Sequence, residues 1–286
     1  MQLLIPHWPQ LPAKVKACVT TRMGGSSLPP FDDGKGGGGM NVGNHVGDDP
    51  AAVAANRLLL QAALPSRPAW LRQVHGITVL DAGAISAITA GATAGPTPHP
   101  GAQPEAEPEA NAKGEPKGDA SFSTIPGVVC AIQTADCLPV LFCDLAGRVV
   151  AGAHAGWRGL AAGVLQHTVR AMRSQGAGEI TAWLGPAIGP RQFEVGADVC
   201  AAFLPLLTDG TPGQPMLATT PAFVPHPQHA GKFLADIYQL ARHALAEVGV
   251  FEIAGGEYCT VSEPQRFYSY RRDHRTGRMV SCIWID

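Results

Sequence analysis

Apolar and polar positions alternate over residues 13 to 22, Ala-Lys-Val-Lys-Ala-Cys-Val-Thr-Thr-Arg, and a period of two marks a half-buried strand. Gly24-Gly25-Ser26-Ser27 and then Gly36 to Gly39 end it in a loop. Those glycines lack the Gly-Lys-Ser/Thr ending of a phosphate loop, so a flexible surface loop is the reading. Asp48-Asp49-Pro50 supplies a capping carboxylate and a first-turn proline, which predicts a helix through about Leu64. Leu71 to Leu80 is strand-like again and carries Gln73-Val74-His75-Gly76. Two apolar runs, Val140-Leu141-Phe142-Cys143 and Val149-Val150-Ala151, flank Asp144-Leu145-Ala146-Gly147 and predict a hairpin. Leu160 to Met172 has apolar residues at 160, 164, 165, 169 and 172, the spacing of a helix. Ile180 to Leu184 predicts a strand running into Gly185-Pro186-Ala187-Ile188-Gly189-Pro190. Helices are expected near 197–206 and 233–248, the latter ended by Gly249, with a Pro-rich loop over 208–230. Glu257 to Val261 and Met279 to Ile285 are the last strand candidates.

Strands and helices are interspersed without regular βαβ alternation, which favours an α+β fold in a single domain over residues 1–286. From Ala82 to Gly118 the pattern collapses into Ala, Gly, Pro and Glu, as in Pro104-Glu105-Ala106-Glu107-Pro108-Glu109. Such a stretch buries too little apolar surface to offset its ordering entropy, so it reads as a mobile insertion. It is not a domain boundary, because structured sequence resumes at once with Asp119-Ala120.

No apolar run approaches the roughly 18 residues that span a bilayer. The N-terminus, Met1-Gln2-Leu3-Leu4-Ile5-Pro6-His7, lacks a basic region and a cleavage site, so a cytoplasmic protein with no membrane partner is expected. Net charge is −2, and no basic block exceeds Arg271-Arg272, which argues against a nucleic-acid partner. Seven cysteines, an odd number with no C-x-x-C pair, argue against both a disulfide framework and a four-thiolate zinc knuckle. Cys130, Cys143 and Cys200 read as small buried hydrophobes. Cys137 differs, because it follows Asp136 at a strand edge and precedes Leu138-Pro139.

A hairpin turn centred between Leu145 and Ala146 would place Cys137 directly opposite His154. Opposed side chains have Cβ atoms about 4.5–5.5 Å apart. A thiol and an imidazole at that distance can share a metal or form a nucleophile–base pair, and a one-residue slip would separate them. His75 ends another strand-like segment beside a glycine, and with Cys137 and His154 it completes a His₂Cys set. Three protein ligands with one open position is the pattern of a catalytic zinc. A core thiol and two unrelated loop histidines would give the same spacing, and spacing alone leaves the two readings even. His226 and His229 form H-x-x-H in a Pro-rich loop, where solvation is the default. His167 and His243 fall on helix surfaces, and His99 in the insertion. Arg22, Arg158, Arg271 and Arg272 could clamp phosphate or carboxylate bidentately. For Arg158, beside the candidate metal, that role is favoured. For Arg271 and Arg272, pairing with Asp273 weighs equally.

Thr20-Thr21-Arg22-Met23-Gly24-Gly25, Asn41-Val42-Gly43, Asn56-Arg57, Gln73-Val74-His75-Gly76, Ala135-Asp136-Cys137-Leu138-Pro139, His154-Ala155-Gly156-Trp157-Arg158-Gly159, Gly185-Pro186-Ala187-Ile188-Gly189 and Tyr268-Ser269-Tyr270-Arg271-Arg272 occur in that order. Together they resemble the bacterial laccase-domain or polyphenol oxidase family, also described as purine nucleoside phosphorylases and as a peptidoglycan-editing factor. The resemblance runs from about residue 13 to the end; the 82–118 stretch departs from it. It implies mixed sheets flanked by helices and zinc on His75, Cys137 and His154, with Cys137, His154 and Asp136 catalytic. It also implies substrate contacts from Arg22, Asn41, Arg158 and Arg271. The implied reaction is phosphorolysis of adenosine, inosine and methylthioadenosine, with adenosine deamination beside it. Partners would be a small nucleoside and phosphate, and the chain is read as a monomer. Zinc hydroxide attacking C6 of adenine is physically sensible, with Asp136 as proton shuttle, and Arg22 or Arg158 would hold phosphate. Alternatives are a copper-dependent polyphenol oxidase, a Cys–His hydrolase editing peptidoglycan precursors, and a zinc-stabilised binding module. Copper fits His₂Cys, but a multicopper cluster needs paired H-x-H motifs, and the sequence has none.

Overall fold

The computed structural model describes residues 1–89, 114–207 and 222–286. The predicted hairpin lies at its centre. β7 (Leu138–Asp144) and β8 (Val150–Ala155) are the middle strands of a six-stranded sheet. β9 (Ile180–Leu184) and β13 (Ile253–Gly255) extend it beyond β7, and β5 (Ala120–Ser123) and β4 (Val79–Asp81) beyond β8. The outer pairs β9–β13 and β4–β5 are parallel and the rest antiparallel, so the sheet is mixed.

Both faces of this sheet are covered, which is why its strands read as unbroken apolar runs. Leu138, Val140 and Phe142 enter a cluster with Leu165, Val169 and Met172 of α4 (Val164–Ser174) and Leu240, Ala241 and Leu245 of α7 (Ile237–Glu247). Leu141 and Cys143 point the other way, onto a four-stranded sheet of order β1-β2-β14-β6. Its strands are β1 (Leu3–Leu4), β2 (Val15–Thr20), β14 (Met279–Ile285) and β6 (Cys130–Thr134). A small third sheet joins β10 (Glu194–Gly196), β12 (Lys232–Ala235) and β11 (Phe223–Pro225). The fold is therefore α+β with mixed sheets and flanking helices, as expected.

Helix α1 (Pro50–Gln61) starts where the cap was expected, with the Asp49 carboxylate accepting from the Ala51 N–H. Several other boundaries are corrected. Of the strand expected over 71–80, only Val79–Asp81 joins a sheet, because the N–H groups of Val74, His75 and Gly76 donate to the Asp119 carboxylate instead of a ladder. The helix over 160–172 is two, α3 (Trp157–Ala161) and α4, broken at Gly163 with φ +95°. Residues 233–235 are strand, and α7 begins only after Asp236, whose side chain accepts from Tyr238 and Gln239. The glycine loop contains β3 (Met23–Ser27), bridged to Gly39. Glu257 to Val261 is loop, and the strand lies just before it as β13. The helix near 197–206 is α5 (Ala197–Ala202) followed by α6 (Leu204–Leu207).

The stretch read as an insertion has structured ends. Ala82 opens α2 (Ala82–Thr89) and with Ile85 joins the core between the two sheets. At the other end Glu115 is buried and takes a 2.7 Å ion pair from Arg57. The intervening 90–113, like 208–221 of the Pro-rich loop, lies outside the described residues.

Candidate metal centre and its pocket

The β7–β8 register pairs Pro139 with His154, two residues from the pairing expected. The Asp144 side chain causes the difference: it accepts from the N–H groups of Arg148 and Val149, which draws both residues into the turn. A two-residue shift preserves the face, whereas one residue would reverse it. Cys137, just before β7, therefore becomes a diagonal neighbour of His154, still within reach of long side chains. His75 arrives from the loop before β4. Ligand atoms of His75, Cys137 and His154 all lie within 4.8 Å of one another, with Cys137 Sγ 3.8 Å from His75 Nε2. Gly156 is needed for this approach, since a Cβ there would sit 2.8 Å from the His75 ring and 3.0 Å from Cys137 Sγ.

Asp119 organises the cluster, and sequence reasoning missed it. It immediately precedes β5, and the β5–β8 register carried one residue on sets it opposite His154, whose N–H donates to its carbonyl. His154 Nδ1 donates to Asp119 Oδ1 at 2.9 Å, leaving Nε2 directed at the cluster. The same carboxylate accepts from the backbone N–H of Val74, His75 and Gly76 at 2.7–3.2 Å. One buried acid thus fixes one ligand's tautomer and the loop carrying another, the usual outer-shell arrangement around a metal-binding histidine. The available signal was its position beside a strand that pairs with His154.

Burial alone pushes the Cys137 thiol up, but the charge and hydrogen bonds of His154 and His75 outweigh it and bring it down to about 6. Burial lowers His154, and the charges of Cys137 and Asp119 overcome this and raise it to about 9. Both shifts favour the thiolate–imidazolium form of the metal-free pair. A thiolate with two oriented imidazoles is a donor set suited to a soft or borderline divalent ion. His75 and Asp136 also hold φ of +61° and +82°, left-handed conformations that are uncommon for non-glycine residues and cluster at functional sites.

The cluster opens into a cavity of about 500 Å³. Its apolar lining residues include Trp157, Ile188, Phe193, Ile237 and Tyr270. Arginines are interleaved with them, Arg158 and Arg271 lying over Trp157 and Phe193, and Arg72, Gln133 and Arg278 also line it. The expected site residues separate here. Arg158 lines the cavity, its guanidinium 4.5 Å above the Trp157 ring. Arg271 lines it too, although its guanidinium donates to the carbonyls of Gln192 and Glu194. Arg272 instead pairs with Asp273. Asp136 is in the wall, but its carboxylate already accepts from Thr260 Oγ1 and the Arg271 N–H, so it is engaged as a strut.

Arg22 and Asn41 do not reach the cavity. Arg22 is buried, donates to the carbonyls of Asp32 and Pro264, and stacks on Tyr268. Asn41 is fully buried and accepts from the Arg278 N–H, so it positions a wall residue without lining the wall. Arg278, also missed from the sequence, is lowered by burial, and the charges of Cys137 and Asp136 oppose that shift.

Among the described residues a second cluster joins Glu194, His226 and His229. His229 Nδ1 donates to Glu194 at 2.6 Å, and the two imidazoles stack 4.3 Å apart and 5° from parallel. The H-x-x-H pair is thus tied to an acid rather than solvated singly.

A family model described as "multi-copper polyphenol oxidoreductase laccase" matches residues 16–286. The chain belongs to this family. It is 48% identical to the Escherichia coli protein named purine nucleoside phosphorylase YfiH, covering 99% of each chain. A purine nucleoside phosphorylase of Pseudomonas aeruginosa is 47% identical, covering 99% of this chain and 98% of the relative. Among solved structures, a Neisseria meningitidis protein superposes with a TM-score of 0.78 at 42% identity over 100% of both chains. YlmD from Geobacillus stearothermophilus gives 0.75 at 28% identity, over 97% of this chain and 93% of that one. Among the described residues no helix is long and apolar enough to cross a membrane.

Proposed function

We propose that this protein is a zinc-dependent purine nucleoside phosphorylase acting on adenosine, inosine and methylthioadenosine, with adenosine deamination as a second activity. The observation that carries the reading is the convergence of His75, Cys137 and His154 at a cavity large enough for a nucleoside and phosphate. Relatives bearing that name at 47–48% identity support it. In phosphorolysis a phosphate oxygen bonds to C1′ as the C1′–N9 bond breaks. The electron pair leaves with the purine, which takes up a proton. Arg158 and Arg278, both in the wall, are the cations suited to phosphate, in place of Arg22. Zinc on the three ligands would supply Lewis-acid stabilisation of developing negative charge. Trp157, Phe193 and Tyr270 in the lining would give a base aromatic surface to stack on.

Two other readings each have an observation behind them. The family's description favours a copper-dependent polyphenol oxidase, and His₂Cys can bind copper. The depressed Cys137 thiol beside a charged His154 favours a Cys–His hydrolase acting on peptidoglycan precursors. Chromatography of adenosine, a phenol and a peptidoglycan precursor, each incubated with and without phosphate and with and without a chelator, separates the three. Adenine formed only with phosphate, and lost in Cys137→Ala, supports the proposal. Phenol oxidation without adenine or inosine supports copper, and precursor cleavage that survives metal removal supports the hydrolase.

A further inference from the structure

Asn41-Val42-Gly43 and Asn56-Arg57 supply no metal ligand, yet their hydrogen bonds lead to one cavity residue, Arg278. From α1, Asn56 Nδ2 donates to the Asn41 carbonyl and Arg57 Nε to the Val42 carbonyl, both at 2.8 Å, which ties residues 41–43 to the helix. Those residues in turn hold the Arg278 backbone twice. The Val42 N–H donates to its carbonyl at 3.2 Å, and Asn41 Oδ1 accepts from its N–H at 2.8 Å. The same Oδ1 accepts from the Gly43 N–H at 2.9 Å, which brings Gly43 against the arginine. A Cβ at Gly43 would sit 2.7 Å from Arg278 Cγ and 3.1 Å from its Cβ. These atoms are the root of the side chain, and its backbone is already tied. The stem can therefore clear a Cβ only through another rotamer, which carries the guanidinium elsewhere.

Arg278 lines the cavity, and Cys137, Asp136 and Tyr270, the ionisable groups that counter the effect of burial on it, line it too. Its Nη1 donates to the carbonyls of Thr276 and Gly277 at 3.2 and 3.1 Å. Nε and Nη2 have no partner among the described residues, and neither is closed off from solvent. The Nε–Nη2 edge, which can grip two oxygens of one anion, is thus unspent. We infer that Asn41 and Gly43 are positioning residues that aim Arg278 at phosphate; the identity of the anion rests on the phosphorylase reading above. Asn41 fixes where the stem starts, and Gly43, by having no side chain, fixes the direction in which it leaves. The guanidinium is then ordered before phosphate arrives, so less binding free energy goes into immobilising a long side chain.

The test titrates inorganic phosphate into the zinc-loaded protein by calorimetry and measures KM for phosphate and for adenosine. It compares wild type, Gly43→Ala, Arg278→Gln and the double variant. Each single substitution should weaken phosphate about tenfold or more, with KM for adenosine changed less than about twofold and zinc content unchanged. The double variant should bind phosphate no more weakly than Arg278→Gln, because Gly43 acts through the arginine. A merely structural glycine would instead give losses that add, or would raise both KM values together. Melting temperature supplies an arm that needs no ligand. Gly43→Ala should lower it, and adding Arg278→Ala, which removes Cγ, should recover most of the loss. That pair also serves if Gly43→Ala alone folds poorly. Wild-type phosphate affinity in Gly43→Ala, additive losses, or no recovery with Arg278→Ala would each overturn the positioning role while leaving the phosphorylase reading intact. If wild type neither binds phosphate nor releases adenine with it, the phosphorylase reading itself falls, and the aim at phosphate with it.

Discussion

The two histidine clusters of this molecule differ in what their second ring nitrogens do. In the first, His154 Nδ1–H donates a hydrogen bond to Asp119, so Nε2 has a lone pair available once its own proton leaves. In the second, His226 Nδ1 accepts from the N–H groups of Gln228 and His229, which leaves the proton of a neutral ring on Nε2, facing Glu194 at 3.5 Å. Its rings stack in parallel and both present a nitrogen to the same Glu194 oxygen, and the His229 side chain is 56% exposed against 4% for His154. Both clusters hold three donor groups. Only the first has an outer carboxylate that orients a ligand toward a shared centre, and that shell is what separates a metal site from an ion pair.

The largest test removes a ligand. Cys137→Ala should drop zinc from about one ion per chain to background in elemental analysis, while His226→Ala with His229→Ala should leave it unchanged. Zinc lost from the second pair instead would invert the comparison. Next is Asp119→Asn, where the new amide opposes the three backbone N–H donors and no longer holds the His154 proton. Metal affinity should fall about 10–100-fold in a chelator competition, and unchanged affinity would mean that the carboxylate only braces the loop. A smaller effect concerns protons. Between the Cys137 value of about 6 and the His154 value of about 9, the metal-free pair carries one proton, on the imidazole. Metal binding near pH 7.5 should therefore release about one proton, and about two once pH falls below the thiol value, weakening affinity in acid. Calorimetry in two buffers of different ionisation enthalpy reads this number, and release near zero would mean that the pair is already neutralised. Folding stability should stay nearly flat over the same window. The raised His154 contributes less as pH rises through about 9, while the lowered Cys137 contributes more as pH rises above about 6. The smallest effect separates two arginines. Arg22→Gln should cost about 2 kcal/mol in urea unfolding and leave the phosphate KM unchanged, whereas Arg158→Gln should raise that KM with little loss of stability.

Periodicity made β2, the hairpin, β9 and β14 legible, because each has its apolar residues in a layer that sequence alternation records directly. It failed at 71–80, where the deciding partner is Asp119, more than forty residues away and invisible to any local window. The hairpin register was out by two because the Asp144 carboxylate enlarges the turn, yet Cys137 and His154 stayed on one face since the error was even. His75, Cys137 and His154 were readable as chemistry-bearing types at strand ends. Asp119 and Arg278 were not, because an acid and a guanidinium gain meaning only from what faces them. Arg22 and Asn41 stand in motifs as prominent as that of Arg158, but their side chains serve backbone carbonyls, Asp48 and the Arg278 N–H, so a motif alone does not separate support from contact.

The left-handed backbone at His75 has a consequence for how such a protein changes under selection. Glycine there would relieve about 1 kcal/mol of conformational cost while deleting a candidate ligand. A library screened for heat resistance in the presence of a chelator should therefore accumulate glycine at this position, and one screened for turnover with zinc should never accept it. Thermal endurance and chemistry compete at a single residue, so stabilising substitutions are best sought in layers away from the loop that Asp119 holds.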